Sequence, residues 1–126
     1  MEDAADKPES RLAKLKAKLE RHGASPQKRF GQNFLVDVNQ LEAIIRDARI
    51  SAADTVLEVG PGTGFLSEGM AKAGVSLLSV EIDRKLVHLA REAVAAWPDA
   101  EVFEGDILDG KHGLNSAALE LLEKAW

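Results

Sequence analysis

The residues best suited to chemistry form three short groups. Glu58-Val59-Gly60-Pro61-Gly62-Thr63-Gly64 is a glycine-rich run with an acid ahead of it. Glu81 follows about twenty residues later, and Asp106 after a further interval. Glycine adopts backbone angles closed to other residues and lets the main chain approach a ligand closely. A carboxylate only accepts hydrogen bonds, so Glu81 can take both hydroxyls of a ribose at once. Asp106 is placed to accept from the exocyclic amine of an adenine. Ile82 and Ile107 come directly after these acids and can flank the ring. Together the groups suit a ligand carrying a nucleoside. The histidines, His22, His88 and His112, are far apart in sequence, and cysteine is absent. That excludes a disulfide framework and a thiolate zinc site, and no spacing points to a metal.

The glycine spacing narrows the ligand. A dinucleotide fingerprint, G-x-G-x-x-G counted from Gly60, needs glycine where this chain has Phe65. A nicotinamide-dependent oxidoreductase is therefore disfavoured. The spacing present is G-x-G-x-G, with Glu58 two residues ahead. S-adenosylmethionine enzymes use that form, because their ligand brings a zwitterionic methionine and no pyrophosphate.

Positioning these groups takes a definite order of elements. Asp54–Gly60 reads as a short buried strand running into the glycine turn, and Phe65–Ala73 as a helix. Ser76–Glu81 reads as a second strand. Asp83–Ala96 reads as a second helix with Leu86, Leu89, Ala90 and Ala93 on one side, and Pro98 breaks it. Glu101–Glu104 reads as a third strand. Asn115 or Ser116 is expected to cap a last helix reaching Trp126. Upstream, Asp37 and Gln40 resemble a capping box ahead of Leu41, Ile44 and Ile45. Residues 9–22 predict a helix with Leu12, Leu15 and Leu19 on one face, and residues 28–35 a loop. Trp97 and Trp126 are expected to fill the packing edges of their helices. Strands separated by helix-length crossovers imply an α/β fold with a partial, Rossmann-like parallel sheet: three strands with flanking helices.

Composition sets the outer limits. The chain has 126 residues, 45% hydrophobic and 29% charged, with a formal net charge of −5. No apolar run approaches the length that spans a bilayer, and no signal-peptide pattern is visible, so the expectation is a cytoplasmic protein with no membrane partner. The charge is uneven. Residues 1–50 hold ten basic and eight acidic side chains, whereas residues 51–126 hold six and thirteen. A basic arm on an acidic body is a pattern that nucleic acid can select, although such runs are often plain solvated surface.

One more segment, Arg29-Phe30-Gly31-Gln32-Asn33-Phe34-Leu35, has no chemistry legible from its residues alone. Taken with Val-Leu-Glu-Val-Gly-Pro-Gly-Thr-Gly, Val-Glu-Ile-Asp and Gly-Asp-Ile-Leu downstream, it resembles the ribosomal RNA adenine dimethyltransferases over about residues 28–110. The resemblance implies a class I methyltransferase fold. It divides the chain into a basic helical extension over 1–27 and the N-terminal half of a domain binding S-adenosylmethionine over 28–126. It implies cofactor contacts from Asn33, Leu35, Gly60, Gly62, Glu81 and Asp106; Glu58, Ile82 and Ile107 join them as candidate cofactor contacts from their places beside these residues. The substrate it implies is adenine in ribosomal RNA, of the small subunit, which receives two methyl groups.

In that family a fourth strand comes next, ending in Asn-Leu-Pro-Tyr, which orients the target amine. These 126 residues contain no tyrosine. The expectation is a chain cut before its catalytic motif, with no catalytic residue of its own and no activity alone. It is also expected to self-associate, through the open edge of the strand at 55–59 or by exchange of a helix. A non-catalytic module of the same fold, binding RNA or a protein, is the alternative reading.

Overall fold

The computed structural model describes residues 38–126 together with Ala17, which is helical. Apart from Ala17, the expected helix over 9–22 lies outside the described residues, as do the loop over 28–35 and Asp37. The described elements run α1 (Val38–Asp47), β1 (Thr55–Val59), α2 (Phe65–Lys72), β2 (Ser76–Glu81) and α3 (Arg84–Val94). They continue with β3 (Ala100–Glu104), β4 (Leu108–Asp109), β5 (Gly113–Leu114) and α4 (Ser116–Ala125).

Strands β1, β2 and β3 form one parallel sheet in that order, in a register that pairs Val59 with Val80 and Glu81 with Glu104. Strand β2 is central and is buried from Leu77 to Glu81. Its burial on both sides follows from helices on both faces. On one face, Met70 and Ala71 of α2 and Val87, Ala90 and Val94 of α3 enclose Leu77 and Val102. On the other, Leu78 and Val80 meet Ala118 of α4, with Phe103, Leu121 and Leu122 packed around them. Burying a leucine such as Leu77 or Leu89 stabilises the fold by about 2 kcal/mol.

The helices begin where local chemistry allows. The Asp83 side chain accepts from the N–H groups of Lys85 and Leu86, which caps α3. Helix α2 has no side-chain cap and starts from Gly64 at φ 83°. A Cβ there would lie 2.6 Å from the Ala93 Cβ, so glycine is what lets α2 start against α3.

Element boundaries fall within two residues of the sequence expectation at nearly every end. Three features differ. The short antiparallel pair β4–β5 stands between the third strand and the last helix, where the sequence reading assigns no element. Ile44 shares the spacing of Leu41 and Ile45 but is 41% exposed, whereas Leu41 is buried and Ile45 packs on the α2–α3 core. Trp97 packs on the α2–α3 core as expected, whereas Trp126, just past the end of α4, is 92% exposed and packs at no edge.

Candidate functional site

The parallel register brings the candidate residues to one edge of the sheet. The Gly60 N–H donates to the Val80 carbonyl at 2.9 Å, and the Gly105 N–H donates to the Glu81 carbonyl at 2.9 Å. Each bond carries a ladder one residue past its strand. Gly60, Glu81 with Ile82, and Gly105 with Asp106 therefore stand side by side at the carboxyl ends of β1, β2 and β3. Ligands bind at that edge of open α/β sheets. Gly60 is exposed at φ 74°, and no described atom beyond its chain neighbours lies within 4 Å of where its Cβ would be. The turn thus leaves an open cradle above Gly60 that any side chain would fill.

Glu81 is fully buried. Its Oε1 accepts from the Gly62 N–H at 3.1 Å and its Oε2 from the Asp83 N–H at 3.0 Å. An unpaired buried carboxylate would be very costly, and these donors hold it in place. They also tie the glycine turn to the start of α3. A carboxylate oxygen accepts more than one bond, so the same group can also take a ligand's hydroxyls.

Glu58, on β1, is also buried. Its Oε1 accepts from the Ser67 hydroxyl of α2 at 2.5 Å and from the Ser79 hydroxyl of β2 at 2.7 Å. Its Oε2 has no hydrogen-bond partner among the described residues. Burial pushes the Glu58 carboxyl above the usual carboxylate range; the serine hydroxyls pull it down, and the Glu81 charge adds to the rise.

Asp106 differs. It is exposed, its Oδ1 accepts from the Leu108 N–H at 2.9 Å, and its Oδ2 is unpartnered among the described residues. Ile82 is 43% exposed beside it. Ile107 is half-buried and packs into the Leu78–Val80–Ala118 cluster under α4. Gly62 is buried in the turn. Asn33 and Leu35 lie outside the described residues.

The site thus offers carboxylate acceptors around an open backbone turn, with Ile82 as exposed apolar surface. Among the described residues no His, Asp or Glu cluster is arranged to hold a metal. Sequence reasoning missed Ser67 and Ser79. Ser79 was detectable in principle, since a serine inside an apolar strand must find a partner. The β4–β5 hairpin carried a signal as well: Asp109-Gly110 between two leucines is turn chemistry, and Gly110 adopts φ 73°.

The chain is 42% identical over 91 residues to ribosomal RNA small subunit methyltransferase A of Pelotomaculum thermopropionicum, covering 72% of this chain and 31% of the relative. It is 43% identical over 99 residues to the Magnetococcus marinus protein of the same name, covering 79% and 36%. The chain therefore spans about a third of the length of the curated relatives it matches. The crystal structure of a dimethyladenosine transferase from Plasmodium falciparum superposes with TM-score 0.51 and 25% identity, over 68% of this chain and 35% of that one. A proposed RNA methyltransferase from Pyrococcus horikoshii shares the fold, with TM-score 0.59 and 22% identity, over 91% and 56%. Residues 23–119, which include every candidate site residue, match the ribosomal RNA adenine dimethylase family, and the chain belongs to that family.

Proposed function

We propose that these residues hold S-adenosylmethionine for the dimethylation of adenine in small-subunit ribosomal RNA. The observation that carries the reading is the buried Glu81 carboxylate, fixed by two backbone N–H groups beside the open cradle at Gly60. The cofactor supplies a methyl group on a positively charged sulfur. Glu81 accepts from its ribose hydroxyls, and Asp106 offers Oδ2 to the adenine amine. Ile82 and Ile107 flank the ring from the two strand ends. Gly60 and Gly62 lie along the methionine portion, with Glu58 Oε2 as an acceptor for its ammonium. Asn33 and Leu35 close over the cofactor.

Orienting the target amine is a separate task, and nothing among the described residues is arranged for it. The Asn-Leu-Pro-Tyr segment of the family is not among these 126 residues. The chain alone is expected to bind S-adenosylhomocysteine and to transfer no methyl group to small-subunit RNA. A thermal-shift comparison tests the binding: S-adenosylhomocysteine at about a hundred times its Kd adds about 2.7 kcal/mol of stability, and NAD adds none. A response to NAD alone would end the methyltransferase reading. Methyl incorporation by the isolated chain would show that it holds a catalytic group after all. Binding of RNA or a protein without any response to S-adenosylhomocysteine would favour the non-catalytic module.

A substrate in small-subunit ribosomal RNA fits a cytoplasmic chain; no helix among the described residues is long and apolar enough to cross a membrane. We further propose that two copies associate along β1. Val59 is 58% exposed and Leu57 37% exposed, and the outer edge of β1 is unpaired among the described residues. Such an edge is a template for another strand, although exchange of the N-terminal helix would give the same stoichiometry. A monomeric mass by light scattering at micromolar concentration would sink this part.

A further inference from the structure

Assigning Asp106 to the adenine amine raises the question of what holds that acid in place. Asp106 is exposed, sits past the end of its strand, and is succeeded by a two-residue strand rather than a helix. A carboxylate in that position samples many rotamers unless its main chain is fixed. Asn115 meets that need with three bonds. Its side-chain Nδ2 donates to the Asp106 carbonyl at 3.0 Å, and its own N–H donates to the Ile107 carbonyl at 2.7 Å. Its Oδ1 accepts from the Ala118 N–H at 3.1 Å, which caps α4. The first two bonds hold two successive peptides, Asp106–Ile107 and Ile107–Leu108, by their carbonyls. The third anchors them to a helix packed on the core through Ala118. The Leu108 N–H, which orients the Asp106 carboxylate, is thereby set at a fixed distance from α4.

We infer that Asn115 is a positioning residue for adenine recognition: it presents the Asp106 carboxylate, and through Ile107 one flank of the ring, from the N-terminus of α4. The inference rests on the assignment of Asp106 to the adenine amine. It separates two roles that coincide in one side chain, since capping uses Oδ1 and positioning uses Nδ2.

Two variants divide these roles. Serine and aspartate cap helices about as well as asparagine, but ionised aspartate has no donor, and serine's hydroxyl lies one bond closer to the main chain than the amide nitrogen that reaches the Asp106 carbonyl. Asn115→Ser and Asn115→Asp should therefore keep α4 intact. In both, hydrogen exchange at the Leu108 amide should accelerate by roughly three- to tenfold, as expected for one lost hydrogen bond, while α4 amides stay protected. Calorimetry on the 126-residue chain then compares S-adenosylhomocysteine with its counterpart lacking the adenine's exocyclic amino group. Wild-type protein should prefer the amine, and both variants should lose roughly three- to tenfold of that preference. If the wild type binds both ligands alike, Asp106 does not read the amine, and the role given to Asn115 falls with it. If the wild type discriminates and the variants discriminate equally well, the assignment of Asp106 stands and the positioning role is overturned. Weaker binding of both ligands in equal measure, or unchanged exchange at Leu108, would also overturn it.

Discussion

Glu81 and Asp106 end neighbouring strands of one sheet, yet Glu81 is buried with a backbone N–H on each oxygen, and Asp106 is exposed with a single N–H on one. The difference comes from the chain segment after each strand. After β2 the chain turns directly into α3, and the glycine turn folds down on the same carboxylate. After β3 it runs through a small hairpin before reaching α4. The first region is therefore part of the core, and changes there disturb fold and site together. The second is an appended arm, where changes should reach the ligand and leave the fold intact.

The strongest test of that contrast uses one glycine from each region. Gly64 adopts φ 83°, and an added Cβ would meet the Ala93 Cβ at 2.6 Å and the Ala90 Cα at 3.2 Å. Gly110 adopts φ 73° with no described atom in range. Both alanine variants carry the left-handed penalty of about 1–2 kcal/mol. Only Gly64→Ala adds a clash, with the Ala93 Cβ, so it should lose about 2–5 kcal/mol in urea denaturation, against about 1–2 kcal/mol for Gly110→Ala. Equal losses would mean that α2 and α3 are not locked through this contact.

Next in size is Glu81→Ala. It removes the acceptor for the Gly62 and Asp83 N–H groups as well as the proposed ribose contact. Hydrogen bonds to a charged group are worth about 1.5–3 kcal/mol each. Affinity for S-adenosylhomocysteine should fall by about a hundredfold or more, together with a clear loss of melting temperature. Unchanged affinity in calorimetry would take Glu81 out of the site. Asp106→Ala should behave differently, with about a tenfold loss of affinity and a melting temperature close to wild type. A large drop in melting temperature there would dissolve the distinction between core region and arm.

Legibility in the sequence divides the same way. The two crossovers from β1 to β3 were readable because strand and helix periods alternate cleanly and breaks are marked at Gly60 and Pro98. Asn115 was readable as a cap for the same reason: its side chain acts on its own helix. Its bond to Asp106 was not readable, because it joins residues nine apart across a hairpin. Ser67 and Ser79 converge on Glu58 from α2 and β2, over separations of nine and twenty-one residues. Only the folded sheet brings those three together. Ile107 shows what adjacency cannot tell: it comes after its acid as Ile82 does, but it is half-buried against the cluster under α4, so only part of its surface is left to flank a ring. The roles of Asn33 and Leu35 rest on family resemblance throughout.

The smallest expected effect lies beneath the glycine turn. Glu58 is buried, and its folded carboxyl titrates above the usual range chiefly because burial disfavours the charged form. The native state therefore holds the Glu58 proton to higher pH than the unfolded chain does. Stability that depends on this proton is fully present below the unfolded titration range and is lost as pH rises through the folded one. Glu58→Gln removes the titration while keeping a carbonyl oxygen for the Ser67 and Ser79 hydroxyls. The stability of the variant relative to wild type should therefore grow steadily as pH is raised from the acid range to neutrality. The difference should stay modest, because the serine hydroxyls offset part of the burial in the wild type. Urea melts of both proteins across that range measure it, and subtracting the curves cancels the titrations they share. Parallel curves would mean that Glu58 is ionised as readily in the fold as in the open chain. The buried first region would then be solvated from below, and its contrast with the exposed arm at Asp106 would be one of backbone contacts alone.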